Sequence, residues 1–195
     1  MNDTLNLHPP IVLSSLVAAT RELGFTMASD ELTGSFLRTL AATKPSGNLL
    51  ELGTGTGLAT AWLLDGMDAQ ATLQTVEQDE SLVAVAKQYL GYDARLTCAV
   101  MKGEAFLESL LAQQQTFDLI FADTWPGKFW LLEETLSLLN IGGLYVIDDL
   151  LPQPNWPEDH PPKVAHLIAT LEQRTDLRLT KLNWSTGLIL ATKIQ

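Results

Sequence analysis

Basic residues are scarce: 12 Lys and Arg stand against 23 Asp and Glu in 195 residues, giving a net charge of −11. Such a chain repels a polyanion unless its basic residues gather on one face, and here they form no cluster, so no nucleic acid is expected as a partner. Cysteine is almost absent. The one example, Cys98, lies in an apolar run, which excludes a disulfide framework and a cysteine-based metal site and suits a reducing cytoplasm. No apolar run reaches the roughly 18 residues needed to cross a bilayer. The first residues, with Asp3 and no basic stretch, do not read as a signal peptide. These absences lead to the expectation of a cytoplasmic, soluble protein with no membrane partner.

What is present is a hydrophobic content of 46%, enough over this length to bury one core, so a single domain over residues 1–195 is expected. Residues 9–23 carry Ile11, Leu13, Leu16, Val17 and Leu23 on one helical face behind Pro9-Pro10, and Gly24 ends it. A second helix, with Ser29 or Asp30 as N-cap, carries Leu32, Phe36, Leu37 and Leu40 until Pro45-Ser46-Gly47 breaks the pattern. These two helices form an N-terminal cap over residues 1–46. From residue 47 onward, strand and helix patterns alternate, the signature of an α/β, doubly wound parallel sheet.

Strands are expected at 49–52, 72–77, 95–101, 117–123 and 144–148, and two more at 177–182 and 188–192, with a helix from about Lys128 to Leu139. Residues 152–162 hold so many prolines that a loop is expected there, with His160 in it, followed by a helix over 164–171.

The first strand runs into Glu51-Leu-Gly53-Thr54-Gly55-Thr-Gly57, a carboxylate followed by three alternate glycines. Glycines in that place let the backbone turn sharply and approach a ligand closely. The spacing is neither the dinucleotide fingerprint, since position 58 is Leu, nor a phosphate loop, since no Gly-Lys-Ser/Thr follows. Ligands in open α/β sheets sit beyond the carboxyl ends of the strands, so acids that end strands are site candidates. Glu77 stands 20 residues past Gly57, where an acid accepts hydrogen bonds from ribose hydroxyls; Gln78 is its neighbour, and Asp79 caps the next helix or joins the site. Glu104 and Ala105 open the helix after the third strand, at an adenine's place, although Glu104 also suits a first helical turn. Asp123, Asp148 and Asp149 end the fourth and fifth strands. If the three converge, their mutual repulsion raises their pKa values or demands a hard cation such as Mg2+; alternatively, Asp148 and Asp149 point to opposite sides.

These segments together resemble the metal-dependent small-molecule O-methyltransferases of the class I S-adenosylmethionine (SAM) methyltransferases, typified by catechol and caffeoyl-CoA O-methyltransferase. The matching segments are Met27-Ala-Ser-Asp30-Glu, Glu51 to Gly57, Val76-Glu77, Phe117 to Asp123, Gly142 to Asp149 and Gly187-Leu-Ile-Leu-Ala. The resemblance implies a Rossmann-like, mostly parallel seven-stranded sheet over 47–195, with an antiparallel C-terminal strand and two extra N-terminal helices, and often a homodimer. It implies a methyl transfer from SAM to a small molecule, at a hydroxyl oxygen, assisted by Mg2+ or another divalent cation. By the same resemblance Glu51, Gly53, Thr54, Gly55 and Gly57 bind the cofactor, Gly53 and Gly55 at its methionine end, Glu77 holds the ribose, and Met27 and Trp125 border the cofactor beside Asp123. The metal triad falls on Asp123, Asp148 and Asp149. The family's catalytic lysine stands three residues after its first metal Asp, where this chain has Pro126, so Lys128 and His160 are both candidate bases. Two other readings stay open: a SAM-binding domain without activity, and a nicotinamide-dependent oxidoreductase on a similar sheet.

Overall fold

The computed structural model describes residues 2–154 and 156–195. In chain order its elements are α1 (Leu13–Leu23), α2 (Glu31–Ala42), β1 (Asn48–Leu52), α3 (Leu58–Gly66), β2 (Thr72–Glu77), α4 (Glu80–Leu90) and β3 (Leu96–Val100). They continue with α5 (Gly103–Ala112), β4 (Phe117–Ala122), α6 (Leu132–Ser137), β5 (Leu139–Ile147), α7 (His160–Glu172), β6 (Leu177–Leu182) and β7 (Leu188–Lys193). The seven strands form one sheet in the order β3-β2-β1-β4-β5-β7-β6. All neighbours from β3 to β5 pair in parallel, and β7 runs antiparallel to both β5 and β6. Among the described residues no helix is long and apolar enough to cross a membrane.

Strand order reverses between β1 and β4, and the register levels the strand ends there. Leu52 lies opposite both Val76 and Ala122, and Ala122 lies opposite Ile147. The next residues, Gly53, Glu77, Asp123 and Asp148, therefore emerge at one level along the carboxyl edge. Two cores cover the sheet, because successive strand residues face opposite ways. Leu50, Leu52, Ile120 and Tyr145 pack on one side with Phe106 and Leu107 of α5 and Leu167 and Leu171 of α7. Leu49, Leu119, Phe121 and Val146 pack on the other with Leu16, Leu37 and Trp62 from α1, α2 and α3. The helix α3 is buried on every side from Leu58 to Leu64, as expected of one that is apolar all round.

Two helix starts near the site differ from expectation, each for a local reason. The helix expected from Lys128 shrinks to Leu132–Ser137, since Gly127 (φ 87°) and Leu131 (φ 58°) take left-handed conformations that interrupt it. Instead, residues 125–130 close a tight turn: the Gly127 N–H donates to Trp130 O at 2.8 Å, and the Phe129 N–H to Trp125 O at 2.9 Å. The helix α7 begins at His160, ahead of its expected start, with proline in its first turn. Proline is tolerated there because the first helical N–H groups have no partner anyway. His160 is thus a helix residue and not a loop residue.

The helices α2 and α3 cross at glycines on both sides. A Cβ on Gly34 would sit 2.2 Å from Trp62 Cδ1, and one on Gly66 would sit 2.1 Å from the Arg38 carbonyl oxygen. Ala in place of Gly normally favours a helix by about 1 kcal/mol, but overpacking a filled core costs about 1–3 kcal/mol. The Trp62 indole cannot swing clear, being 1% exposed with the Arg38 guanidinium 4.8 Å from its ring centre. Gly34→Ala is expected to lower the urea midpoint against the helix-propensity trend; a higher midpoint would show that the crossing is not tightly packed.

Candidate active site

Where β1 ends, the Gly53 and Thr54 N–H groups both donate to Val76 O at 3.1 Å, bending the chain over the tip of β2. Gly53 has φ 104°, and a Cβ there would come within 3.0 Å of Asp123 O. Only glycine meets both conditions without strain. The turn is held from beneath by hydroxyls: Thr54 pairs with Thr75 at 2.6 Å and Thr56 with Thr20 at 2.7 Å. Glu77 closes the turn from β2. Its carboxylate accepts from the N–H of Gly55 at 3.2 Å, of Gln78 at 2.8 Å and of Asp79 at 3.0 Å.

Glu51 is elsewhere. It shares the face of Leu49, under α3, is fully buried, and does not line the cavity. Its Oε2 accepts from the Thr60 and Thr75 hydroxyls, both at 2.6 Å, while Oε1 has no partner. Desolvation raises its pKa to about 7 in spite of those hydroxyls. Gly57 also lies outside the cavity; a Cβ there would strike Leu90 Cδ1 at 2.9 Å, so this glycine serves the packing of α3 on α4. Ala105 is exposed and lines neither hollow, whereas Glu104 borders a smaller hollow beside Gln78 and accepts from Trp130 Nε1 at 3.0 Å.

The main cavity, about 790 Å³, opens along the carboxyl edge and is lined by Gly53, Thr54, Gly55, Glu77, Asp123 and Trp125, with Met27 at its mouth. Asp148, Asp149, Lys128 and His160 line the same space. Asp123 and Asp148 are both pushed above the usual carboxylate range, chiefly by desolvation; in Asp123 the nearby Asp148 charge adds to the rise. Each keeps a hydroxyl donor, Ser29 on Asp123 Oδ2 at 2.9 Å and Thr186 on Asp148 Oδ1. Asp148 Oδ1 also accepts from the Asp149 N–H at 2.7 Å. Asp149 (φ 62°) turns aside, and both its oxygens take the Trp156 Nε1–H, at 2.9 and 3.0 Å.

The three aspartates thus line one opening without forming the expected ligand cluster. Among the described residues, no group of three His, Cys, Asp or Glu side chains is placed to hold a metal ion. A cation is nonetheless present. Lys128 is 2% exposed, and its ammonium donates to Asp148 O at 2.8 Å. The residues 125–130 carry it there, because the Tyr145 hydroxyl donates to Gly127 O and anchors the turn.

His160 is 3% exposed, and among the described residues neither of its ring nitrogens has a hydrogen-bond partner. It sits against Trp156, Phe129 and Trp125, with ring centres 4.3, 5.0 and 5.9 Å away, and its Nε2 is 3.7 Å from Asp149 Oδ2. Desolvation holds its pKa below the ordinary value against the pull of Asp149. The sequence pattern missed Ser29 and Thr186 as site residues. Ser29 lies inside the Met27–Asp30 segment and was open to notice, whereas Thr186 arrives from the turn between β6 and β7 and carries no local signal.

A sequence model of a family described as O-methyltransferase matches residues 6–194. A provisionally named O-methyltransferase of Mycobacterium sp. (strain KMS) is 30% identical over 144 residues, 68% of this chain and 63% of that protein. The catechol O-methyltransferase of Niastella koreensis is 30% identical over 123 residues, 60% of this chain and 56% of its own length. The chain therefore matches less than two thirds of the length of these curated relatives. The crystal structure of the O-methyltransferase TomG from Streptomyces achromogenes, involved in tomaymycin synthesis and in complex with SAM, has a TM-score of 0.85 at 23% identity. It covers 99% of this chain and 94% of that one, which establishes the common fold.

Glu51 gives the site a measurable pH signature. Its folded pKa, about 7, stands above the ordinary 4.5. The stability this proton contributes is fully present below 4.5 and is lost as pH rises through 7. Urea melts at pH 5 and pH 8 should therefore differ less in Glu51→Gln than in the wild type, the difference being on the order of 3 kcal/mol. Equal slopes in the two proteins would mean that Glu51 is ionised throughout.

Proposed function

The chain belongs to this O-methyltransferase family, and on that premise we propose that it transfers the methyl group of SAM to a hydroxyl oxygen of a small molecule. The observation that carries the proposal is the levelled carboxyl edge, which brings the glycine turn, Glu77 and the buried carboxylates to one cavity. The residues present suit the cofactor. Gly53 leaves the turn open where a Cβ would fill it, and Glu77, with its carboxylate already oriented by three backbone N–H groups, keeps a lone pair on Oε2 for a ribose hydroxyl. Gln78 and Glu104, in the adjoining hollow with Trp125, would border the adenine, and Gly55, Thr54 and Met27 the methionine end.

When bound, SAM would supply an electrophilic methyl on a sulfonium, open to in-line attack by an acceptor oxygen with the thioether sulfur as leaving group. The chain's part is alignment and removal of the acceptor's proton. His160 suits the second task, because its depressed pKa keeps the imidazole neutral at pH 7 and its ring nitrogens have no hydrogen-bond partner among the described residues. Trp125, Phe129 and Trp156 enclose it and exclude water. The donor set as it stands does not suit a divalent cation, since Asp149 is committed to Trp156 and Asp148 Oδ1 to the Thr186 hydroxyl and the Asp149 N–H. A net charge of −11 favours a small acceptor over a nucleic acid.

A ligand that binds only the folded state raises its melting point by mass action. S-adenosylhomocysteine at about 100 times its Kd is expected to raise Tm by several degrees, NADH is expected to leave it unchanged, and Glu77→Ala is expected to lose most of the rise. Stabilisation by NADH with none by S-adenosylhomocysteine would replace the methyltransferase reading with the oxidoreductase one.

A further inference from the structure

We propose that Trp130 is a positioning residue that sets the cofactor site's preference for adenine: its indole N–H holds one oxygen of Glu104, leaving the other for the amino group at position 6 of the base. This role rests on the methyltransferase reading, under which the base lies in the smaller hollow. That hollow, about 300 Å³, shares Gly53, Glu77, Gln78 and Trp125 with the main cavity and adds Glu104 and Trp130. The Trp130 Nε1–H donates to Glu104 Oε1 at 3.0 Å, and among the described residues the Glu104 side chain makes no other hydrogen bond. An indole has one N–H and a carboxylate two acceptor oxygens. Glu104 Oε2 is therefore open to a second donor at the hollow's rim.

The indole is itself fixed by the turn at 125–130. Pro126 and Trp130 pair as an isolated bridge, and the Gly127 N–H donates to Trp130 O at 2.8 Å. The Trp125 and Trp130 rings meet edge to face, with centres 5.5 Å apart. The same turn seats against the start of α5, since a Cβ on Gly103 would come within 3.1 Å of Pro126 Cβ and Cγ. The turn thus sets both the residue before Glu104 and the Glu104 carboxylate. A glutamate in a first helical turn otherwise samples many rotamers, and ordering them on binding costs affinity. The indole removes that cost in advance. An acceptor held in this way favours a purine with an amine at position 6, because a base without the amine leaves the desolvated oxygen without a donor.

Calorimetric titration of the full chain with S-adenosylhomocysteine and with its 6-deamino analogue, the purine carrying hydrogen at C6, tests this. The wild type is expected to bind the adenine compound at least about tenfold more tightly, the range of a hydrogen bond to a charged group. Trp130→Phe keeps a ring at a position already 38% exposed. It is expected to bring the ratio below about 3 by weakening the adenine compound alone, and to change nothing further in a Glu104→Ala background. A merely structural indole would weaken both compounds equally, so an unchanged ratio in Trp130→Phe overturns the proposal, as does a wild-type ratio near 1. Should Trp130→Phe not fold, the indole N–H resonances decide: Glu104→Ala is expected to move one of them upfield from its wild-type place, and no such shift would overturn the proposal. If neither compound binds the wild type, the methyltransferase reading falls and this role with it, an outcome distinct from tight but equal binding.

Discussion

The Asp148 carboxylate and the Lys128 ammonium leave water together where β4 and β5 end, beside the half-buried Asp123, and most of the site follows from keeping that buried charge balanced. Asp123 and Asp148 are forced there by the register, which places Ala122 opposite Ile147. Lys128 is forced there by the 125–130 turn. Unbalanced, either charge would be costly in so dry a place. Together they leave a polar centre facing a cavity that Trp125 and Trp156 also line, a setting in which a reacting oxygen meets a strong local field.

A second buried charge lies one strand away. Glu51 sits beneath the glycine turn with an unpartnered oxygen, tied to α3 by Thr60 and to β2 by Thr75. Its place under the turn explains the carboxylate of the motif without a ligand contact. It braces β1, β2 and α3 where the chain bends over the cavity, and its raised pKa spares part of the cost of ionisation at neutral pH.

Much of this was legible in the sequence because strand ends in a parallel sheet are both patterned and functional. Apolar runs closed by Gly53, Glu77, Asp123 and Asp148 announced the edge, and the register brought those four residues to one level. What was not legible came from backbone conformation and distant packing. Nothing in Pro126-Gly127-Lys128 announced that Leu131 would turn left-handed and halt the expected helix, so Lys128 read as a helix opener. Pro161-Pro162 read as loop although a first helical turn accepts proline, so His160 read as a loop residue. The depth of Glu51 could have been inferred, since alternate residues share a face and Leu49 faces α3. The Trp156–Asp149 hydrogen bonds could not, because that indole comes from a stretch without periodicity.

The balanced-charge account makes one crystallographic measurement decisive. Crystals grown with S-adenosylhomocysteine should show the ligand along the edge from Glu77 to Asp123 and the Lys128 ammonium beside the Asp148 carbonyl. A ligand bound away from that edge, or Lys128 displaced from the Asp148 carbonyl, would contradict it.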